Sequence, residues 1–351
     1  MLETLSRALL HKLEPETAHD LAIRSLSLLG KTPARYLLGT PRRRQPVSLL
    51  GIEFDNPVGL AAGFDKNAEA LDGLAAMGFG FIEVGTVTPR PQAGNPKPRL
   101  FRLNDDLAII NRMGFNNAGV DAVIKNIMAS CYHRHKKGIL GINIGKNKDT
   151  PNDKALEDYR LCFEKVHELA DYITINISSP NTPNLRALQN DQAFTLLLDG
   201  LKKAQETAHS ASGKYTPLLV KISPDQTPEQ LEEMAGIIKE TGIDGVICSN
   251  TTVKRPLLRA TGLAKEPGGL SGRPLLQYAN EAVRHLRDAL GTGFPIIGSG
   301  GVISAEDALS KQKSGADLIQ VYTGFVYRGS TLIDEIITAW RADRGQLSGS
   351  R

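Results

Sequence analysis

Ile173-Thr174-Ile175-Asn176-Ile177-Ser178-Ser179-Pro180-Asn181-Thr182-Pro183-Asn184 is the stretch on which the reading of the chain turns. Its first half alternates isoleucine with Thr and Asn, the pattern of a buried β-strand. Its second half cannot continue that strand. Pro180 and Pro183 remove backbone donors, and Asn181, Thr182 and Asn184 favour turns. A strand therefore stops here and delivers Asn176, Ser178, Ser179, Asn181 and Thr182 at its carboxyl end. Short, uncharged polar side chains suit the donor and acceptor edges of a planar, amide-rich ligand. Taken by itself the stretch reads more readily as a loop that merely turns the chain. The flanking sequence tips the balance.

On both sides of it, short apolar runs alternate with longer amphipathic segments. Strands are expected at Val58-Ala61, Phe79-Val84, Ile139-Ile144, Tyr172-Ile177, Leu218-Ile222, Gly245-Cys248, Pro295-Ile297 and Leu318-Val321. Helices follow most of them. Thr227-Pro228-Glu229-Gln230 carries a cap, a first-turn proline and a reaching Gln, and Ser304-Ala305-Glu306-Asp307 repeats the signal with Asp. Strands alternating with helices pair in parallel. Eight such units point to an α/β fold of the (β/α)₈ TIM-barrel type, with an open doubly wound sheet as the second choice. Polar or glycine residues follow every strand. They include Ala62-Gly63 and Lys66 after the first, Thr86 after the second, Asn143 in the third, Lys221 in the fifth and Ser249-Asn250-Thr251 after the sixth. Gly298-Ser299-Gly300-Gly301 follows the seventh and Tyr322-Thr323-Gly324 the eighth. In a parallel barrel these ends share one face, where barrel enzymes place their chemistry.

The remaining chain frames this unit. Leu2, Leu5, Leu9 and Leu13 recur at helical spacing, Pro15 suits the first turn of a second helix, and Gly30 and Pro33 end it. Ala18, Leu21, Ala22, Ser25, Leu26 and Leu29 are expected to line its packed face. Residues 1–40 thus form a helical extension, 41–341 the barrel and 342–351 a frayed tail. Val47-Leu50 and Ile52-Phe54, split by Gly51, suggest a small hairpin. A hydrophobic fraction of 41% and a charged fraction of 23% describe a globular protein with a large core. A net charge of +4 with 5% aromatics argues against a dedicated nucleic-acid surface. Cys131, Cys162 and Cys248 are far apart and suggest reduced thiols. No apolar run reaches membrane-span length, and no secretory signal opens the chain.

Three features carry chemistry. Glycines in Gly298-Ser299-Gly300-Gly301 let backbone N–H groups approach an anion, and loops seven and eight of barrels commonly hold phosphate. Lys221 could be a Schiff-base lysine, a surface lysine or a charge partner for a cofactor, and Lys66 has similar options. No dinucleotide fingerprint follows the first strand, and no close His/Cys/Asp/Glu group offers a metal site. A single-phosphate flavin fits, since a lysine can stabilise negative charge on its reduced ring.

Val58-Gly59-Leu60-Ala61-Ala62-Gly63-Phe64-Asp65-Lys66-Asn67, Asn111-Arg112-Met113-Gly114-Phe115-Asn116-Asn117, Asn176-Ile177-Ser178-Ser179-Pro180-Asn181-Thr182 and Gly269-Leu270-Ser271-Gly272 resemble the dihydroorotate dehydrogenases. The resemblance spans nearly the whole chain and is closest to the class 2, quinone-dependent, membrane-associated enzymes of Gram-negative bacteria. It implies oxidation of (S)-dihydroorotate to orotate on FMN. It implies FMN contacts from Ala62, Gly63, Thr86, Asn143, Asn176, Lys221, Ser249, Gly272, Gly301, Tyr322 and Thr323. It implies substrate contacts from Lys66, Asn111, Met113, Gly114, Phe115, Asn176, Asn181, Asn250 and Thr251. Ser179 aligns with the catalytic base, where class 1 relatives have cysteine. The family often has threonine where Ser249 stands.

The same resemblance assigns the N-terminal helices to the membrane surface, as walls of an apolar tunnel for quinone, with His19, Arg102 and Tyr322 near it. It makes the protein peripheral on the cytoplasmic side of the bacterial inner membrane, and a monomer is expected. Serine is a poor base unaided, so Thr182 with an ordered water is a candidate relay for the proton. Two alternatives stand beside this reading. One is another FMN barrel acting on a dihydropyrimidine or a dihydrouridine; Lys66 and the asparagine set favour a free pyrimidine carboxylate. The other is a non-catalytic flavin- or membrane-binding scaffold, which need not keep Ser179 and Lys66. Asn250 to Gly269, with its Gly, Pro and charges, is a candidate mobile loop.

Overall fold

The computed structural model of the chain describes residues 2–39, 43–182, 185–189, 191–256, 258–260 and 262–349. Pro183 and Asn184 of the deciding stretch, and Leu257 and Thr261 of the candidate loop, lie outside them. Two helices come first, α1 (Leu2–Leu10) and α2 (Pro15–Gly30). An antiparallel hairpin follows, β1 (Val47–Leu49) and β2 (Ile52–Phe54). The chain then runs through β3 (Val58–Leu60), the short helix α3 (Leu71–Ala75), β4 (Phe81–Val87), β5 (Leu100–Leu103) and β6 (Ala108–Asn111). After these come β7 (Ile139–Ile144), β8 (Tyr172–Asn176), β9 (Leu218–Ile222), β10 (Gly245–Cys248), β11 (Gly269–Gly272), β12 (Ile296–Ser299) and β13 (Leu318–Val321).

Eight of these strands close into one parallel barrel in the order β10-β12-β13-β3-β4-β7-β8-β9. Closure excludes the open sheet. The pairing rises from the sequence as expected, with strands of β-branched and aliphatic residues separated by amphipathic helices. Both predicted capping boxes form, Thr227 with Gln230 and Ser304 with Asp307. The second and seventh strands end later than expected. Gly85 stays paired with Asn143 and Val87 with Ile144 across a register shift, so Gly85 and Thr86 belong to β4 rather than to the loop after it. β5, β6 and β11 form a separate antiparallel sheet, with Gly269 opposite Asn111.

Side chains alternate along a strand, so each barrel strand sends every second residue inward. At the N-terminal ends this inner layer is apolar. Phe81, Tyr172, Leu219, Ile247, Ile297 and Leu318 pack with Phe54 of the hairpin, and all are fully buried. Two glycines make room for the rings: a Cβ on Gly59 would lie 2.2 Å from the Phe81 ring, and one on Gly141 would lie 2.2 Å from that of Tyr172. Two residues further along the same strands, the inner layer turns polar with Glu83, Thr174, Lys221 and Gln320, all buried.

The N-terminal extension docks by close backbone approach and by a buried ion pair. A Cβ on Gly30 would lie 2.3 Å from the Gly73 nitrogen, and one on Gly73 would lie 2.3 Å from the Leu26 carbonyl, so α2 sits directly on α3. Glu14 caps α2 by accepting from the backbone N–H groups of Glu16 and Thr17. Glu16 is buried and accepts from Arg99 Nη2 at 2.8 Å and from Nε at 3.2 Å. Arg99 also donates to the carbonyls of Ala93 and Asn95, each at 2.7 Å. The face expected for α2 packs in part, since Ala18 is buried and Leu26 lies against the core. Glu16, Ala18, Ile23 and Gly30 are buried, while Leu21 and Ser25 point outward. At the other terminus the helix Ser330–Gly349 continues through the segment expected to be a tail. A lone Gly345 lowers helix propensity by only about 1 kcal/mol, and no proline intervenes.

Arg99→Met would leave the Glu16 carboxylate buried beside only the exposed Lys97. Equilibrium denaturation should show a loss of about 3–5 kcal/mol, the usual cost of breaking a buried pair from one side.

Candidate active site

A cavity opens at the C-terminal end of the barrel. The strand ends supply Ala62, Gly63, Thr86, Asn176, Ser179, Lys221, Ser249, Asn250, Thr251, Gly301, Tyr322 and Thr323 to its wall. Lys66, Asn181, the loop after β6 (Asn111, Met113, Gly114, Phe115) and Gly272 of β11 complete it among the residues expected from sequence. Asn143 stands behind this wall, fully buried, and reaches it through Thr86 and Asn176. Thr182 is buried and lies off the wall, as do His19 and Arg102.

The conformation of each loop follows from its residues. Gly300 and Gly301 adopt φ of 93° and 86°, which L side chains avoid, and a Cβ on Gly301 would lie 2.2 Å from the Leu276 Cα. The seventh loop is therefore backbone pressed against the start of the helix Leu276–Leu290. In the eighth, the Thr323 hydroxyl bonds to that of Ser271 at 2.8 Å, joining loop to β11. Arg186 links the fourth, fifth and sixth loops, donating to the Ser178 carbonyl (3.2 Å), Asp225 (2.9 Å) and the Thr251 carbonyl (3.1 Å). The segment from Asn250 to Gly269 is tied down at several points. Arg255 donates to the carbonyls of Ala264, Glu266 and Gly268, and Arg112 pairs with Glu266 at 2.6 Å.

Polar atoms left without partners show what the cavity can hold. The Ser179 hydroxyl is buried and accepts from the Asn181 N–H at 3.2 Å. Asn181 donates to Asn111 Oδ1 at 3.0 Å, while its own Oδ1 has no partner. Thr251 Oγ1 and Gln320 Oε1, on the same wall, also lack partners. Neither Lys66 nor Lys221 has a hydrogen-bond partner on its ammonium among the described residues. Burial lowers the Lys221 value, opposed by the charge of Glu83. Burial, then Arg99, pushes Lys66 down to about 8, against the pull of Glu16, Asp20 and Asp65. Two lysines and unpaired amide and hydroxyl acceptors make a site for an anionic, planar ligand with N–H edges.

Beside the cavity, His19 of α2 stands edge-on to Phe64, with centroids 5.2 Å apart, and Phe64 stands 5.7 Å from Tyr322. Burial, then the Lys66 charge, pushes His19 down to about 3, so it is neutral at physiological pH. Arg102 donates to the carbonyls of Leu10 and Leu13, where α1 gives way to α2. Sequence reasoning missed Glu83, Gln320, Arg186 and Asp225. The first two carried a signal, since each interrupts an otherwise apolar buried strand. Arg186 and Asp225 carried none, because only folding brings their loops together.

A family model described as dihydroorotate dehydrogenase matches residues 45–342. The chain belongs to the dihydroorotate dehydrogenase family. This is a family of flavoenzymes that oxidise dihydroorotate in pyrimidine synthesis. The chain is 50% identical over 346 residues to a dihydroorotate dehydrogenase (quinone) of Xanthomonas oryzae pv. oryzae, covering 99% of this chain and 98% of the relative. It is 49% identical over 348 residues to one of Xylella fastidiosa, with the same coverage. Among solved structures, the Eimeria tenella DHODH in complex with ferulenol superposes with a TM-score of 0.88 at 40% identity, over 95% of this chain and 92% of that one. Its ligand-free form gives 0.86.

The Lys66 value has two consequences of opposite sign. Because the folded-state value lies below the ordinary 10.5, the unfolded chain holds the proton between about 8 and 10.5, so through this group the fold gains stability as pH rises across that window. Affinity for a carboxylate ligand should fall as pH rises through about 8, and calorimetric titration with orotate should show that inflection in the native chain and not in Lys66→Met.

Proposed function

We propose that the chain oxidises (S)-dihydroorotate to orotate on FMN and passes the electrons to a membrane quinone. The observation that carries this reading is the gathering of Ser179, Lys66, Lys221 and the asparagines 111, 176, 181 and 250 on one cavity wall. The residues present fit a flavin mononucleotide. The backbone of Gly300, Gly301, Thr323 and Gly324 offers a phosphate site that tolerates no Cβ at Gly301 or Gly324. Ala62, Gly63, Thr86, Asn176, Ser249, Gly272 and Tyr322 would enclose the ring and ribityl chain, with Asn143 behind them bonded to Thr86 and Asn176 and Lys221 as the nearby positive charge. When bound, FMN supplies a two-electron acceptor for the hydride that leaves C6 of the substrate.

The chain's own residues do the rest. Lys66 would face the substrate carboxylate, and Asn111, Asn181, Asn250 and Thr251 would hold the pyrimidine edge, with Met113, Gly114 and Phe115 closing one side. Ser179 would take the proton from C5, next to the carbonyl. The Asn181 N–H donates to its oxygen and so favours the alkoxide that accepts this proton. Among the described residues Thr182 Oγ1 has no hydrogen-bond partner, which suits a relay through water.

For the second half-reaction, the aromatic contacts from His19 through Phe64 to Tyr322 connect α2 with the cavity. Leu9, Leu13, Leu21, Leu28 and Leu37 are exposed on the same N-terminal extension, and no described helix is long and apolar enough to cross a membrane. These features support an extension that lies on the bilayer surface. We place the enzyme as a monomer, peripheral on the cytoplasmic side of the bacterial inner membrane.

Anaerobic absorbance spectra test the first half. Dihydroorotate, and not dihydrouracil, should bleach the oxidised flavin band. Ser179→Ala should slow bleaching by about 10²–10⁴-fold, with Thr182→Val slowed as well; wild-type rates in either variant would remove that residue from the proton path. The second half is tested with Leu9→Asp/Leu28→Asp, which should weaken co-sedimentation with anionic vesicles and slow quinone reduction while leaving flavin bleaching unchanged.

A further inference from the structure

Glu83 lies on the barrel axis side of β4, two residues above Phe81, and is fully buried. Its carboxylate accepts from donors on three other strands. Asn143 Nδ2 reaches one oxygen at 2.8 Å. Gln320 Nε2 (2.7 Å), the Tyr172 hydroxyl (3.1 Å) and the Thr174 hydroxyl (3.2 Å) reach the other. None of these partners is a cation. A buried carboxylate is costly, and four donors offset that cost. Nothing in the proton or hydride path uses it.

A carboxylate can only accept, so each neighbour must turn a donor toward it. For Asn143 this settles which way the amide faces. Its nitrogen points to Glu83, and its oxygen points outward, where it accepts from the Thr86 hydroxyl at 2.6 Å and from Asn176 Nδ2 at 3.1 Å. With its nitrogen engaged there and on Thr86, Asn176 must present its oxygen to Asn250 Nδ2, at 3.3 Å. Gln320 is set in the same way: its nitrogen is held by Glu83, and its oxygen is left buried, unpartnered, in a residue on the cavity wall. One carboxylate that does not line the cavity therefore dictates the donor and acceptor order of Thr86, Asn176, Asn250 and Gln320, which do.

We propose that Glu83 is a positioning residue that sets the hydrogen-bond polarity of the flavin-facing wall, which presupposes that the cavity holds FMN. Neutral Gln at 83 would bring one NH₂ against a set of donors, so at least one amide must turn over or lose its bond. Exchanging the two groups across their 2.7 Å bond, in Glu83→Gln/Gln320→Glu, restores an acceptor for Asn143 and puts a carboxylate opposite the new amide and within 3.4 Å of the Tyr172 hydroxyl.

The test measures FMN binding to deflavinated protein by quenching of FMN fluorescence, with the midpoint potential of reconstituted holoenzyme as a second readout. E83Q should bind FMN about tenfold more weakly or worse, the scale of an unmade buried hydrogen bond. Its midpoint potential should be more positive, because a negative charge near the reduced ring is gone. The double exchange should return the affinity to within about threefold of wild type, as the bonds are remade. Unchanged FMN affinity in E83Q would overturn the proposal, and so would a folded double variant whose affinity stays low. If E83Q does not fold, the double variant alone decides: affinity near that of wild type supports the proposal, and low affinity overturns it. Wild-type protein that took up no FMN would instead refute the flavin reading itself.

Discussion

Every second residue of a barrel strand faces the axis, and this chain uses that constraint to stack two unlike layers. The lower layer of Phe81, Tyr172 and large aliphatic residues, plugged by Phe54, keeps water out of the barrel floor. The layer above it holds Glu83, Thr174, Lys221 and Gln320 in a medium that solvates charge poorly. The properties of the cavity follow from this order. Among the described residues Lys221 has no hydrogen-bonded counterion, Lys66 is pushed down toward neutrality, and amides whose orientation would be free in water have one orientation each. A hydrogen-bond donor or cation in such a place acts on a ligand more strongly than it would at a wet surface.

The N-terminal extension is part of this electrostatic arrangement. Glu16 of α2 holds Arg99, and Arg99 holds the carbonyls of Ala93 and Asn95. Asn95 in turn donates to the carbonyls of Arg112, next to the cavity-lining Asn111, and of Asn181, itself on the cavity wall. One run of hydrogen bonds thus joins the helix carrying the exposed leucines to the loops that carry Asn111 and Asn181. The charges of Arg99 and Glu16 also reach Lys66, and that of Lys66 reaches His19. The surface that would meet a bilayer and the pocket that would meet a carboxylate are therefore physically continuous.

Much of this was legible in the sequence, and unevenly so. Strand positions could be read because a buried parallel strand needs a run of apolar residues, and the eight runs are short and well separated by amphipathic segments. The strand-end residues could be read because position after a strand implies position in space once the strands are parallel. The face of α2 could be read only in part. Periodicity marked Ala18 and Leu26, which pack inward, but also Leu21 and Ser25, which do not; the Glu16–Arg99 pair and the Gly30–Gly73 contact fix the helix, and neither Arg99 nor Gly73 is near α2 in sequence. The tail was misjudged because a glycine marks a stop only when other breakers accompany it.

The sequence by itself determined the alternation of eight strands with helices, the capping boxes of two of those helices, and which polar residues stand at the strand ends, because all three depend on patterns within a few residues. It also carried motifs long enough to mark the family. Only the tertiary structure decided that the strands close, that Asn143 lies behind the wall rather than on it, and that Glu83 orients the amides in front of it. Those outcomes depend on bonds between residues tens to hundreds of positions apart, such as Glu83 with Gln320, and no local pattern encodes which distant partner completes a hydrogen bond.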